Sequence, residues 1–261
     1  MSNIESNIEL SKSDRITFIG LGKLGLGFAL CFADIGYNIL GVDIVEDYVC
    51  QLNNRTYKTQ EPLINKLLEK NTNFRATTDL KQAIGFSNYI YILVDTPQTD
   101  KEYYDPFRLN IVLKNISDLT INNPKNIIIS TSVFPGYIKN QGLKIVNSHY
   151  DNRNTISYNP EIVRIGKIVQ DIRSNDYPII IGEANKQVGN FIENLFIQIH
   201  KHNNIKTKSN IHRMSIESAE ICKFSTNCLK MIKITFANTI GDICDRVENT
   251  SKEDIMNAIK S

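Results

Sequence analysis

Ile16-Thr17-Phe18-Ile19-Gly20-Leu21-Gly22-Lys23-Leu24-Gly25 joins an apolar run to a glycine-rich turn, and this stretch decides the fold of the chain. The apolar run predicts a strand that leads directly into the turn. We expect Gly20 to make the tight turn out of the strand and Gly22 to let the backbone approach a pyrophosphate. Gly25 is expected to let the following helix pack closely on the strand. The pattern is typical of a dinucleotide-binding unit.

The helix predicted from about Leu24 to Ile35 begins at the turn. Its first residues offer unpaired N–H groups and the positive end of the helix dipole, which favour phosphate groups. We therefore include Lys23 and Leu24 with the glycines among the expected cofactor-binding residues.

A carboxylate follows at the position that distinguishes two related cofactors. A second apolar run, over 38–43, ends at Asp43. A carboxylate there can accept hydrogen bonds from both hydroxyls of an adenine ribose and would repel a 2′-phosphate. The sequence therefore predicts NAD rather than NADP. The alternative is a glycine-rich turn in an unrelated α/β protein, or a Rossmann fold that binds another nucleotide.

Composition narrows the class of protein. The chain has 261 residues, of which 41% are hydrophobic and 22% charged, so we expect one large domain or one domain with a smaller appendage. A net charge of +2 without dense Lys/Arg runs argues against a nucleic-acid partner. No apolar run reaches the ~20 residues that cross a bilayer, and the polar residues 1–14 do not resemble a signal peptide. We expect a cytoplasmic protein with no membrane partner.

The cysteines show no spacing typical of a metal site. They are Cys31, Cys50, Cys222, Cys228 and Cys244. All five lie in apolar contexts, so we expect buried thiols rather than disulfides or metal ligands.

Strands and helices alternate along most of the chain. The candidate strands are 15–20, 38–43, 74–77, 88–94, 126–131, 155–158 and 178–182. This alternation predicts a Rossmann-type, doubly wound α/β fold with a mostly parallel sheet. We expect residues 1–14 to form a flexible tail and residues 15–205 to form the NAD-binding domain.

The character of the sequence changes after about Lys206. The segment 214–247 contains no proline, and Gly241 is its only glycine. Apolar residues recur there at steps of three or four: Ile221, Phe224, Cys228, Ile232, Phe236, Ile240, Ile243 and Val247. They predict one long helix, capped near Ser215 and Ser218, whose apolar stripe is too long to be buried by the first domain alone. Residues 206–261 are therefore expected to begin a second, helical domain or to pair with another subunit.

Four further segments carry candidate functional residues. They are Val94-Asp95-Thr96-Pro97, Ser130-Thr131-Ser132-Val133-Phe134-Pro135-Gly136, Asn159-Pro160-Glu161-Ile162-Val163-Arg164-Ile165-Gly166 and Ala219-Glu220-Ile221-Cys222-Lys223-Phe224-Ser225-Thr226-Asn227. The first two follow predicted strands, where open α/β sheets bind their ligands.

Together with the glycine loop, these segments resemble the UDP-glucose/GDP-mannose dehydrogenase family, whose members oxidise the C6 hydroxymethyl group of a nucleotide sugar with two NAD. The resemblance runs from about Arg15 to Ile259 and includes Glu61-Pro62-Leu63 and Thr78-Asp79-Leu80. The Asn-Pro-Glu segment, followed by a glycine, an aspartate and the strand Pro178–Gly182, is specific to the family. Hydroxyisobutyrate and phosphogluconate dehydrogenases also place a lysine and an asparagine four residues apart.

The resemblance implies roles for individual residues. Lys223 and Asn227 would bind a substrate hydroxyl and stabilise the developing oxyanion. Glu161 would accept a proton, directly or through water. Ser132, with Thr131 one step before it, would position a water near the nicotinamide. The implied cofactor site comprises Gly20, Gly22, Lys23, Leu24, Gly25, Asp43, Thr96, Pro97, Thr131, Ser132 and Glu161.

Two of these assignments have structural alternatives. Lys223 and Asn227 could belong to a solvated helix face shared with Glu220 and Lys230. Glu161 could lie in a surface turn after Asn-Pro.

The chain departs from the family pattern in two places. The motif Arg-Glu-Gly reads Arg164-Ile165-Gly166 and so lacks a carboxylate. A Gly-Gly-x-Cys-Phe-x-Lys-Asp segment, which holds the family's catalytic cysteine, is absent, and neither Cys222, Cys228 nor Cys244 matches its motif. The second oxidation needs that thiol, because the aldehyde must be held as a thiohemiacetal.

These observations predict the NAD-binding domain and the start of the central domain of a nucleotide-sugar dehydrogenase, truncated or part of a larger assembly. A UDP-sugar is the expected substrate, and a homodimer through the 214–247 helix is the expected assembly. The alternatives are a catalytically silent NAD-binding module and a short hydroxyacid dehydrogenase that uses Lys223 and Asn227 for one hydride transfer.

Overall fold

The computed structural model describes residues 15–97, 104–120, 123–149, 153–205 and 210–259. The chain divides into two compact units, Met1–Glu220 and Ile221–Ser261. The predicted flexible tail, residues 1–14, lies outside the described residues.

Among the described residues, the first unit is built on an eight-stranded sheet with the order β3-β2-β1-β4-β5-β6-β7-β8. Its strands are β1 (Arg15–Ile19), β2 (Asn38–Val42), β3 (Phe74–Thr77), β4 (Tyr89–Ile92), β5 (Asn126–Ile129), β6 (Thr155–Tyr158), β7 (Ile179–Gly182) and β8 (Ile211–Met214). Neighbouring strands are parallel except β6 and β7, which pair antiparallel at Tyr158 and Gly182. The predicted mostly parallel sheet is confirmed.

Helices connect the strands. They are α1 (Lys23–Asp34), α2 (Glu46–Asn53), α3 (Ile64–Lys70), α4 (Leu80–Phe86), α5 (Phe107–Leu119), α6 (Leu143–Val146), α7 (Ile168–Arg173), α8 (Lys186–His202), α9 (Ile216–Cys244) and α10 (Lys252–Ile259), with a π-helical turn (Ile138–Gly142) before α6. Side chains cap several of them: Asp79 accepts from the Gln82 N–H at 3.0 Å and Asn185 from the Val188 N–H at 3.0 Å. These caps satisfy backbone donors that a helix leaves unpaired.

An aromatic cluster forms the middle of the core. The Phe18 ring on β1 stacks on Tyr91 of β4 with centroids 5.1 Å apart, and Phe32 of α1 meets Tyr91 edge-on at 5.4 Å. All three residues are fully buried. Burying a side chain of this size contributes ~1.5–3 kcal/mol, so the cluster ties α1 firmly to the two central strands.

The central strands define where a ligand would bind. The chain leaves β1 for β2 and β3 on one side and then returns to β4 on the other side of β1. At such a reversal the loops after the two central strands diverge and open a crevice at the carboxyl edge of the sheet. The loops after β1 and β4 are those that carry Gly20–Gly25 and Val94–Pro97.

The structure differs from the sequence-based expectation at β8. No strand was predicted there, yet Ile211–Met214 pairs in parallel with β7. The first unit extends to Glu220, beyond the expected boundary at 205, because β8 and the start of α9 belong to it.

The long helix was expected over 214–247 and spans Ile216–Cys244. Ser215 caps its start, because the Ser215 Oγ accepts from the Ser218 N–H at 3.2 Å. After its end, the Thr250 hydroxyl donates to the carbonyl oxygens of Cys244 and Val247, and Asn249 adopts a φ of 61°. This left-handed residue is incompatible with a continuing helix.

The expectation of five buried thiols was wrong for most of the cysteines. Cys31 is buried, whereas Cys50 and Cys228 are exposed and Cys222 and Cys244 are half-buried. All five are free thiols. Apolar neighbours in sequence did not decide burial, because α2 and α9 expose the faces that carry Cys50 and Cys228.

Candidate active site

The glycine loop has the geometry that its sequence predicts. Gly20 has a φ of +92°, and a Cβ on it would lie 2.5 Å from the Leu93 carbonyl oxygen. A Cβ on Gly25 would overlap the Gly20 carbonyl oxygen, so only glycine lets α1 approach the end of β1 this closely. Gly22 is different, because a Cβ there would meet no protein atom within 4 Å. The space over Gly22, the residue before α1, is therefore open to a ligand at the helix N-terminus.

Asp43 lies beside this loop, one residue after β2. Its Oδ2 accepts from the Leu21 N–H at 3.3 Å and its Oδ1 from the Val45 N–H at 3.1 Å. These two bonds fix the carboxylate against the glycine loop, where the adenine ribose of a dinucleotide lies in this fold.

A cleft of about 310 Å³ extends from the glycine loop along the edge of the sheet. Its lining residues are Gly22, Lys23, Leu24, Gly25, Leu93, Val94, Asp95, Thr96, Ser130, Thr131, Ser132, Glu161 and Ile165. The structure thus brings together eight of the residues singled out in the sequence: the stretch Gly22–Gly25 with Thr96, Thr131, Ser132 and Glu161. Gly20, Asp43 and Pro97 are not among the lining residues, although each lies in a loop at this edge.

Hydroxyl groups tie two walls of the cleft together. The Thr96 Oγ1 donates to the Ser132 carbonyl oxygen at 2.9 Å, and the Thr131 Oγ1 donates to the Val94 carbonyl oxygen. Both threonine hydroxyls donate their proton to a backbone carbonyl oxygen. Ser132 is therefore a better candidate than Thr131 to donate a hydrogen bond to a ligand.

The sequence analysis did not assign a role to Ser130, which also lines the cleft. Its side chain is 1% exposed, and its Oγ has no hydrogen-bond partner among the described residues. A buried hydroxyl without a partner is costly. The open cradle over Gly22 and the Ser130 hydroxyl both fit a bound dinucleotide.

Glu161 lies on the third wall of the cleft, in the loop after β6. Its N–H donates to the Ser130 carbonyl oxygen at 3.4 Å. Burial and the nearby charge of Glu161 raise the pKa of the Tyr158 phenol well above its usual range. Glu161 is half-buried and belongs to the lining of the cleft.

The rest of this loop is held by charged groups. The Arg164 guanidinium donates to both oxygens of Asp171, at 2.7 and 3.0 Å, and the Arg164 N–H donates to the same carboxylate at 2.9 Å. Asp171 is 5% exposed, and these contacts hold its pKa below its usual range against the effect of burial. Ile165, where the family pattern has a carboxylate, is one of the lining residues and is 71% exposed.

One alternative placed Lys223 and Asn227 on a solvated helix face shared with Glu220 and Lys230. For Glu220 that alternative is wrong. Its side chain is fully buried, and its two oxygens accept from the backbone N–H groups of Gly136 and Ile138 at 2.6 and 2.9 Å. Lys223 and Asn227 lie one turn apart on α9, in the second unit.

Metal and membrane signals were searched among the described residues only. There, no group of three or more His, Cys, Asp or Glu side chains could hold a metal ion. In the same part of the chain, no helix combines the length and apolar character needed to span a bilayer.

Comparisons with known proteins agree with this geometry. The model for the NAD binding domain of the UDP-glucose/GDP-mannose dehydrogenase family matches residues 14–200. The GDP-mannose 6-dehydrogenase of Pseudomonas aeruginosa is 26% identical over 250 residues, which cover 92% of this chain and 55% of that protein. The UDP-glucose 6-dehydrogenase TuaD of Bacillus subtilis is 29% identical over 238 residues, which cover 89% of this chain and 49% of that protein. The chain thus spans about half the length of the curated relatives it matches.

Solved structures share the fold. A ternary complex of GDP-mannose dehydrogenase from Pseudomonas aeruginosa has a TM-score of 0.84 at 25% identity and covers 94% of this chain and 56% of that chain. A UDP-glucose dehydrogenase from Pyrobaculum islandicum has a TM-score of 0.84 at 20% identity, which establishes likeness of fold alone.

Proposed function

Because the chain belongs to the UDP-glucose/GDP-mannose dehydrogenase family, we propose that it takes part in the NAD-dependent oxidation of C6 of a nucleotide sugar. The observation that carries the proposal is the cleft at the β1–β4 reversal, where the glycine loop and Glu161 share one lining. A UDP-sugar is the first substrate to test and GDP-mannose the second, since relatives of both names match the chain.

The cofactor contacts follow from the loops. The N–H groups at the start of α1, over Gly22–Gly25, would bind the pyrophosphate, and Asp43 would bind the adenine ribose. The nicotinamide end would then lie toward Ser132 and Glu161, with Thr96 and Pro97 between. Bound NAD would supply the hydride acceptor for the oxidation at C6.

The chain's own residues would handle the proton and the charge. Lys223 and Asn227 would hydrogen-bond the C6 hydroxyl and stabilise the oxyanion that develops as hydride leaves. Glu161 would accept the hydroxyl proton, directly or through a water that Ser132 helps to hold.

A complete four-electron oxidation by this polypeptide alone is not part of the proposal. The 261 residues contain no Gly-Gly-x-Cys segment to supply the thiol of the second step. This observation favours one rival function, a catalytically silent NAD-binding module.

We further propose that α9 mediates a homodimer and that the protein works in the cytoplasm. The support for dimerisation is the exposed apolar stripe on α9, which includes Ile221, Ile232 and Phe236. The support for the compartment is that all five cysteines are free thiols.

The test is NADH formation by the chain with UDP-glucose and with GDP-mannose, with the sugar product identified by mass spectrometry. We expect no appreciable uronic acid, and at most slow formation of the aldehyde that is abolished by Lys223→Ala. The exposed Lys230, on the same helix, provides the control Lys230→Ala. Rapid formation of acid with two NADH per sugar would contradict the account.

A further inference from the structure

Two buried glutamates, Glu61 and Glu220, make the same kind of contact to two different loops of the cleft. Neither lines the cleft itself. Each carboxylate accepts hydrogen bonds from two backbone N–H groups of a loop that does line it, and each loop lies far away in sequence.

Glu61 holds the loop that carries Glu161 and Ile165. Its Oε2 accepts from the Gly166 N–H at 2.7 Å and its Oε1 from the Ile168 N–H at 2.8 Å. The Glu61 side chain is 9% exposed, and Gly166 has a φ of +87°. Glu61 therefore fixes a left-handed turn between the cleft and α7.

Glu220 holds the loop that carries Thr131 and Ser132. Its bonds to Gly136 and Ile138 join residues 82 to 84 positions apart, and Gly136 has a φ of +88°. This left-handed turn connects the Ser132 segment to the π-helical turn Ile138–Gly142. Burial raises the pKa of Glu220 above its usual value, and the hydrogen bonds from the two backbone N–H groups offset part of that rise.

A carboxylate suits this role better than any other side chain. It is acceptor-only when ionised, so both oxygens can accept from N–H groups that point the same way. Glutamine has the same shape, but its amide group donates, and one backbone N–H would lose its acceptor. The loop would then shift to satisfy that N–H or would pay for leaving it unpaired.

We propose that Glu61 and Glu220 are a pair of positioning residues that hold the nicotinamide end of the cofactor cleft in its binding geometry. The inference rests on the proposed function, which orients the dinucleotide along the cleft. The glycine loop and Asp43 receive no bond from either carboxylate. The hydrogen bonds that fix Asp43 against the glycine loop therefore do not involve the pair.

This independence gives the test, which compares binding of NAD with binding of ADP-ribose by calorimetry. ADP-ribose contains the adenine, ribose and pyrophosphate groups but lacks nicotinamide. The variants are Glu61→Gln and Glu220→Gln. Exposed glutamates near each provide matched controls: Glu69→Gln on α3, and Glu217→Gln, one turn before Glu220 on α9.

We expect each test variant to bind NAD about tenfold more weakly than the wild-type chain and ADP-ribose within about twofold of it. Both controls should bind the two ligands as the wild-type chain does. Equal weakening of NAD and ADP-ribose would overturn the inference, since it indicates general destabilisation. Unchanged NAD binding in both test variants would overturn it as well. A wild-type chain that binds neither ligand would instead reject the proposed function itself.

Discussion

Gly22 and Gly25 are three residues apart and meet opposite surroundings. The position of a Cβ on Gly25 is filled by the Gly20 carbonyl oxygen, whereas the position over Gly22 is empty of protein atoms. Gly25 therefore serves the packing of α1 on β1, and we expect Gly22 to leave room for a ligand.

Paired substitutions test this division. We expect Gly25→Ala to lower the free energy of unfolding by about 3 kcal/mol, because α1 must move away from the end of β1. Gly22→Ala should leave stability within about 0.5 kcal/mol of wild type and weaken NAD binding at least about tenfold, because its methyl group occupies ligand space. Urea unfolding and calorimetry measure the two effects. The account fails if Gly22→Ala destabilises the chain as much as Gly25→Ala does.

The cysteines offer a second test at the residue scale. Burial raises the pKa of the Cys31 thiol to about 12, with a smaller opposing effect of Arg173. At pH 8 the reactive thiolate of Cys31 is therefore scarce, and the buried sulfur is also inaccessible. Cys50 is exposed on α2. We expect iodoacetamide to label Cys50 in the native chain and Cys31 only in urea, as read by peptide mass spectrometry. Native labelling of Cys31 would place α1 outside the core.

Elements differ in how well the sequence predicts them. The buried strands β4 and β5 are near-continuous apolar runs. Both were predicted because such runs are typical of parallel strands that are buried on both faces. β8 was missed because Ile211-His212-Arg213-Met214 is short and half polar. Its place depends on pairing with β7, a contact that no local pattern encodes.

The features of the candidate site also differ in whether the sequence predicts them. The open space over Gly22 and the carboxylate of Asp43 beside the glycine loop are local features of one βαβ unit, so their spacing in the sequence predicts them. The contacts of Glu61 and Glu220 could not be predicted, because each joins segments more than 80 residues apart. The prediction that all five cysteines are buried was wrong for a similar reason, because the packing of other elements decides which face of a helix is exposed.

The apolar stripe of α9 gives a prediction at the scale of an element. Ile232 is 64% exposed and lies near the middle of the stripe. If the stripe pairs two copies, Ile232→Glu should shift the chain from dimer to monomer in sedimentation velocity, because a charge would be buried at the interface. Asn238→Glu, which adds the same charge on the opposite side of the helix, should leave the dimer intact. A wild-type chain that is monomeric at high concentration would contradict the proposal.

At the scale of the whole molecule, strands β1 to β7 of the sheet and the family match fall in the same part of the chain. The described sheet supplies a complete cleft for a dinucleotide, and the family match covers that part of the chain. The curated relatives are about twice as long. Binding of the cofactor should therefore be retained by this chain even where turnover is not, since binding depends on the first unit.

The most direct test of the account is a calorimetric titration of the 261-residue chain with NAD and, separately, with NADP. The account predicts one NAD per chain and at least about tenfold weaker binding of NADP, because Asp43 would face and repel a 2′-phosphate. Asp43→Ala should narrow that difference. Absence of NAD binding, or an equal or reversed preference between the two cofactors, would contradict the central claim.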